Sequence, residues 1–211
     1  MKWLGLVGIV AFSLIIGYTL SNQIIQTIIG LVPKEVQLVA LQPSDGFMVI
    51  MWGTLIGTII ILMILGGLWL WIYYKDILYD TEKQFLKKII PTSIFLFITG
   101  IVSGVLMYLV MVLPYFIQIN TELGLTNIWS LGNVINSSIM IGLGFGVSFQ
   151  LPLLLRFAIK KGLIKKESYT SQRLKIILVI LILSAVLTPP DVISQLMLAI
   201  PLIGLTELAV M

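Results

Sequence analysis

Residues 47–73 read FMVIMWGTLIGTIIILMILGGLWLWIY, without one charged side chain. At about 1.5 Å per residue, a helix of this length exceeds the roughly 30 Å hydrocarbon core of a bilayer. The run reads as a transmembrane helix. Gly53, Gly57, Gly66 and Gly67 lie within it, and small residues let neighbouring helices approach closely. Trp69, Trp71, Tyr73 and Tyr74 gather at its far end, as aromatic side chains do at a membrane surface. The whole chain agrees with this reading. Of its 211 residues, 59% are hydrophobic and 10% charged, and its mean hydropathy is +1.11. Soluble domains carry about 25% charged residues. A water-soluble globule of this composition could not cover its own surface. The expected fold class is therefore an all-α, polytopic membrane protein.

Working outward from the central run, we expect one domain with six spans, over residues 3–20, 47–73, 89–117, 129–155, 174–187 and 192–211. The first run follows Lys2 and has no small-residue cleavage site before Ser21, so it reads as a retained span. After it, Ile24, Ile25, Ile28 and Ile29 recur at helical spacing among polar residues, which predicts an amphipathic continuation at an interface. Residues 33–46 and 118–128 read as loops, and Pro91 falls in the first turn of the third span. The fifth span is short, about 21 Å as a helix. Thr188-Pro189-Pro190-Asp191 stops it, and Pro201 interrupts the sixth. Residues 174–211 are then either one re-entrant hairpin or two short spans in a locally thinned bilayer.

The basic residues set an orientation. Six spans place Lys2, Lys75, Lys83, Lys87, Lys88, Arg156, Lys160, Lys161, Lys165, Lys166, Arg173 and Lys175 on the side of the N-terminus. Lys34 stands alone on the other side. By the positive-inside rule both termini are expected to be cytoplasmic, and the expected location is the plasma membrane. The net charge of +4 is no nucleic-acid signal, because it follows this membrane asymmetry.

Catalytic chemistry has little to work with. Cysteine and histidine are both absent. That excludes disulfides, thiol nucleophiles, Ser/His pairs and the commonest metal ligand. No phosphate loop or nucleophile elbow occurs, so neither enzyme activity nor a cofactor or metal is expected. The polar residues that stand out are few. In a helix over residues 76–87, Glu82 has Leu78, Tyr79, Phe85 and Leu86 as its neighbours at three and four residues. None is a cation, whereas Asp80 has Lys83. Glu82 thus reads either as a solvated carboxylate or as a docking point for an incoming cation, best an arginine. Asp191, after Pro189 and Pro190, reads as a cap on the sixth helix. Glu207 lies deep in that segment, where carboxylates are paired, functional or snorkelling. Gln150, Gln195 and Asn136 are neutral and able to bond between helices. Gly142-Leu143-Gly144-Phe145-Gly146 reads as a close-packing segment. A small-solute transporter is the alternative class, with Gln150, Asn136 and Glu207 as its only polar candidates. No inverted repeat supports it.

Several motifs carry a resemblance. Phe145-Gly146-Val147-Ser148-Phe149-Gln150-Leu151-Pro152, Leu187-Thr188-Pro189-Pro190-Asp191-Val192-Ile193-Ser194-Gln195 and Leu198-Ala199-Ile200-Pro201-Leu202 resemble the fourth-span and fifth-to-sixth-span signatures of the TatC family. That family supplies the six-span receptor subunit of the twin-arginine protein translocase. Leu78-Tyr79-Asp80-Thr81-Glu82-Lys83 is similar to its Leu-Tyr-x-x-Glu-Lys/Arg cytoplasmic element, and Pro43-Ser44-Asp45-Gly46-Phe47 to its Pro-x-Glu-x-Phe segment. The resemblance implies binding of twin-arginine signal peptides of folded proteins, with Glu82, Lys83 and Tyr79 as the receiving residues. It also implies TatA/TatB-type single-span partners, contact with membrane lipids, a homo-oligomer within a receptor complex, and export driven by the proton-motive force. Gln150, Gln195 and Glu207 become candidate partner contacts, and Pro189, Pro190 and Asp191 the structural cap. Three departures stand out. The sequence starts Met1-Lys2-Trp3 without the family's usual His-Leu-x-Glu-Leu-Arg segment, position 150 is Gln where many members have Glu, and Asp45 stands where Glu is usual.

Overall fold

The computed structural model describes residues 2–74, 79–163, 165, 171–187 and 192–210, with the backbone alone at residues 2–4, 6, 74, 80–82, 85, 187, 193, 194, 209 and 210. Helices dominate it. Helix α1 (Lys2–Leu31) and helix α2 (Asp45–Tyr74) are each 30 residues long. Helix α3 (Asp80–Met107) passes through a π-helical turn (Tyr108–Val112) into α4 (Leu113–Glu122). Helices α5 (Leu131–Ser148), α6 (Leu151–Lys160), α7 (Arg173–Leu187) and α8 (Val192–Val210) follow among the described residues. Among the described residues, four segments are long and apolar enough to cross a membrane: Val7–Leu31, Asp45–Tyr73, Leu86–Glu122 and Leu131–Lys160. The protein is an all-α polytopic membrane protein, as its composition dictates.

Helix α1 does not end near residue 20. The stretch expected at an interface continues the same helix, with Ile25 and Ile28 about 95% buried. The reason is its neighbour. Helix α2 is long and glycine-bearing, and α1 lies against it. A Cβ on Gly17 would collide with Thr58, and one on Gly57 would come within 3.0 Å of the Gly17 Cα. Ser21 is buried on the same face, its hydroxyl donating to the Tyr18 carbonyl. Asn22, Gln23 and Gln26 point away and are exposed. Helices α3 and α5 meet in the same manner. A Cβ on Gly100 would lie 2.8 Å from the Gly146 Cα, and one on Gly104 would lie 2.9 Å from the Gly142 Cα. Backbones that approach this closely exchange dispersion contacts that hydrocarbon solvent cannot supply better. Phe97, Ile101, Ile135, Ile139 and Phe145 fill the core around the crossing.

Prolines shape the third and fourth spans. Helix α3 begins at Asp80, so Pro91 lies well inside it instead of in its first turn. Pro114 has no N–H to give the Val110 carbonyl. The wide turn falls immediately before it, with the Leu113 N–H reaching back to the Tyr108 carbonyl. The helix then runs to Glu122, five residues into the expected loop, and stops on Gly124 at φ +73°. The fourth span breaks once. Pro152 has no N–H for the Ser148 carbonyl, and the helix interrupts at Phe149 and Gln150 before α6 begins. Pro201, by contrast, does not interrupt α8, which runs through it. Helix α7 has 15 residues, about 22 Å, and is the short element its sequence indicates. Pro189, Pro190 and Asp191, the expected cap, lie outside the described residues.

One element escaped the sequence reading. The loop after α1 contains a strand, β1 (Gln37–Val39), which pairs in parallel with β2 (Ile128–Ser130) ahead of α5. This brings the α1–α2 and α4–α5 connections together at one end of the bundle.

The glycine crossing yields a test. Gly104→Val adds methyl groups where a Cβ alone already touches Gly142, and we expect a loss of about 1–3 kcal/mol. Gly66→Val, at a position with no atom within 4 Å of a built Cβ, should change little. Thermal unfolding of the two purified variants in one detergent separates these outcomes.

Candidate functional site

Tyr79 immediately precedes α3 and is 80% exposed. The Lys83 N–H donates to the Tyr79 carbonyl at 2.9 Å, which starts the helix. Glu82 sits in this first turn, and its side chain falls outside the described ones. Lys87 and Lys88, one turn further on, are exposed. The start of α3 is thus a tyrosine-headed helix end with exposed lysines one turn on, and the backbone of Glu82 lies in its first turn.

The other candidates are placed by side-chain bonds between helices. Gln150, in the break between α5 and α6, makes a reciprocal pair with Ser93 of α3. The Ser93 hydroxyl donates to Gln150 Oε1 at 2.7 Å, and Gln150 Nε2 donates to the Ser93 carbonyl at 3.1 Å. Ser93 therefore presents one donor and one acceptor. A neutral amide satisfies both, while a carboxylate would oppose the carbonyl oxygen. Gln195 of α8 donates to the Leu181 carbonyl of α7 at 3.0 Å. Glu207, toward the end of α8, pairs with Arg173 at the start of α7. Arg173 is 57% and Glu207 22% exposed. A pair of that exposure holds at most about 1 kcal/mol, yet it fixes which helix ends meet.

Gln195 and Glu207 therefore both join α7 to α8, which makes these two helices a hairpin. Gln150 joins α3 to the fourth span. The three are not brought together into one cluster. Asn136, the remaining polar candidate, has a buried Oδ1 without a hydrogen-bond partner. Among the described residues no group of acidic side chains could hold a metal ion.

The structure adds a polar node that sequence reasoning missed. Asp45 is 6% exposed at the N-terminus of α2. Its Oδ2 accepts from the Leu41 N–H at 2.9 Å, the Gln42 N–H at 3.3 Å and the Ser130 hydroxyl at 2.9 Å. Ser130 in turn caps α5 by accepting from the Asn133 N–H. One carboxylate thus serves two helix N-termini, where its charge is favoured. The signal was present as Pro-Ser-Asp before an apolar run, an ordinary helix start. Its partner 85 positions away was not legible.

A family model described as Sec-independent protein translocase protein (TatC) matches residues 2–201. The chain belongs to the TatC family. A TatC of Listeria innocua is 30% identical over 179 residues, covering 84% of this chain and 72% of the relative. A TatC of Helicobacter pylori strain J99 is 33% identical over 177 residues, covering 82% and 70%. The crystal structure of a twin-arginine translocase receptor, TatC, in DDM superposes with a TM-score of 0.73. It has 26% sequence identity and covers 96% of this chain and 93% of that one. The helical fold is shared with that receptor.

The Ser93–Gln150 pair can be measured. Gln150→Leu, Ser93→Ala and the double variant form a cycle, for which we expect a coupling of about 0.6–1.7 kcal/mol in detergent unfolding. A coupling of zero would mean that the two side chains do not support each other.

Proposed function

We propose that this protein is the receptor subunit of a twin-arginine translocation system. It binds twin-arginine signal peptides of folded proteins on the cytoplasmic face and assembles with TatA/TatB-type partners for export driven by the proton-motive force. The observation that carries this reading is the family match over residues 2–201, joined to the likeness in fold to a twin-arginine translocase receptor. The chemistry agrees with it. Glu82 is a carboxylate whose helical neighbours include no cation, in an element that begins with exposed Tyr79 and carries Lys83. Guanidinium groups pair with carboxylates in a planar, two-pronged geometry that lysine cannot copy. The signal's arginines are the incoming cations in this scheme. Glu82 is the counter-charge, with Tyr79 and Lys83 beside it.

Gln195 and Glu207, on the α7–α8 hairpin, and Gln150 are the candidate partner contacts. Each already bonds within the chain, so a partner helix either packs over these bonds or exchanges with them. The short α7 crosses a locally thinned bilayer beside α8, with Pro189, Pro190 and Asp191 forming the outer cap. Both termini are cytoplasmic, because that orientation puts twelve of the thirteen Lys and Arg residues inside. The chain sits in the plasma membrane in contact with lipids, and copies of it associate within the receptor complex. Its role is recognition, not catalysis. No observation favours the small-solute alternative: Gln150 and Glu207 are bonded to two different helices.

Two experiments test the reading. Glu82→Ala and Glu82→Gln should stop export of a twin-arginine reporter while the protein still accumulates in the membrane. Normal export by both removes Glu82 from the role. The sequence has no cysteine, so single-cysteine labelling is clean. An impermeant maleimide should label Lys34→Cys in intact cells and Lys165→Cys only after permeabilisation. The reverse pattern would invert the topology.

A further inference from the structure

Helix α1 buries Ser13, Gly17, Ser21, Ile25 and Ile28 on the face that meets α2. On the opposite side Gly8, Phe12, Ile15, Thr19, Asn22 and Gln26 are all exposed, and their separations alternate between four and three residues. That is the spacing of a heptad seam, which a second helix fills by knobs-into-holes packing. The inner half of the seam is apolar, with Phe12 55% and Ile15 64% exposed. The outer half is polar. The Thr19 hydroxyl donates to the Ile16 carbonyl of its own helix at 2.8 Å. The side chains of Asn22 and Gln26 make no hydrogen bond among the described residues. Their depth makes this costly. A Cβ on Gly53 would lie 3.1 Å from the Ser21 Cβ, so Asn22 stands at the level of Gly53. Gly53 is six residues, about 9 Å, into the charge-free run that begins at Phe47. Hydrocarbon offers a carboxamide neither donor nor acceptor.

We propose that two copies of the chain pair through this seam, α1 against α1, about a two-fold axis along the membrane normal. The proposal rests on the reading that copies associate, and adds the surface they use. The amides select the occupant. A carboxamide carries both donors and an acceptor, so Asn22 and Gln26 of one copy satisfy the same residues of the other. All copies cross the bilayer in one orientation, so the two-fold axis brings each amide to its counterpart at the same depth. A single-span partner of different sequence meets this requirement only with polar groups at that same level, and acyl chains never meet it. A polar layer within an otherwise apolar seam also holds the two helices in one register.

Disulfide scanning of the full chain in native membranes tests the seam. Ile15 and Leu14 are 64% and 49% exposed at nearly one depth, but point about 100° apart. Under copper-phenanthroline oxidation, Ile15→Cys and Thr19→Cys should each give a species of twice the chain mass, and Leu14→Cys should not. Equal yields from Ile15→Cys and Leu14→Cys reflect random collision and overturn the seam. A disulfide from Ile15→Cys to a smaller single-span protein, in place of a second copy, overturns it too. The amides are tested separately with Asn22→Leu and Gln26→Leu combined, two exposed positions whose exchange leaves the bundle interior untouched. Energy transfer between donor- and acceptor-labelled Lys34→Cys chains in liposomes, followed as lipid is added, should show association weakened about tenfold, the effect of losing one or two interhelical amide bonds. Association that the double variant leaves unchanged overturns the seam and keeps the association of copies. A parent chain that does not associate at any dilution removes both.

Discussion

Inside hydrocarbon, a helix gains nothing by hiding leucine from a solvent made of the same chemistry. What holds this bundle together is the closeness that glycine permits. At two crossings, α1 with α2 and α3 with α5, backbones meet where a single Cβ would already collide. Each crossing makes a rigid helical pair, and the other contacts are laid over these two pairs. The position of Ser93 against Gln150, for example, is set by how Gly100 and Gly104 seat α3 on Gly146 and Gly142.

Polar bonds then fix what packing leaves open. Asp45 and Ser130 tie the starts of α2 and α5 together at one end. Ser93 and Gln150 pin α3 to the fourth span at its break. Gln195 and the Arg173–Glu207 pair close the α7–α8 hairpin. The first two of these links join elements distant in sequence, and the last two join successive helices. Each of their groups would be costly to bury alone in a low dielectric, so each bond penalises alternative registers more than it stabilises the correct one.

Composition and apolar run length were enough to read an all-α polytopic membrane protein, because a bilayer demands long apolar helices. The short fifth helix and the glycine segment at 142–146 were equally legible. Local signals failed where a neighbour decided the outcome. Ile25 and Ile28 look interfacial alone, but with α2 beside them they are core. The break at Phe149 and Gln150 needed Pro152 to be weighed inside an apolar run that hydropathy treats as continuous. The parallel pairing of β1 with β2, and the Asp45–Ser130 bond, join residues some 90 positions apart and leave no periodic trace. Of the candidate site, Glu82, Gln150, Gln195 and Glu207 were visible as polar residues in apolar surroundings. The partners of the last three were not, since Ser93, Leu181 and Arg173 belong to other helices.

The π-helical turn at Tyr108–Val112 has a geometric consequence of its own. One added residue in a single turn advances every later side chain by about 100° around the axis. Tyr108, Leu109, Val112 and Leu113 are all buried, whereas Val110 and Met111 between them are 63% and 51% exposed. A wheel projection drawn through the entire third span loses its phase here. The turn works as a rotary offset, allowing one continuous rod to serve one set of neighbours below it and a differently placed set above.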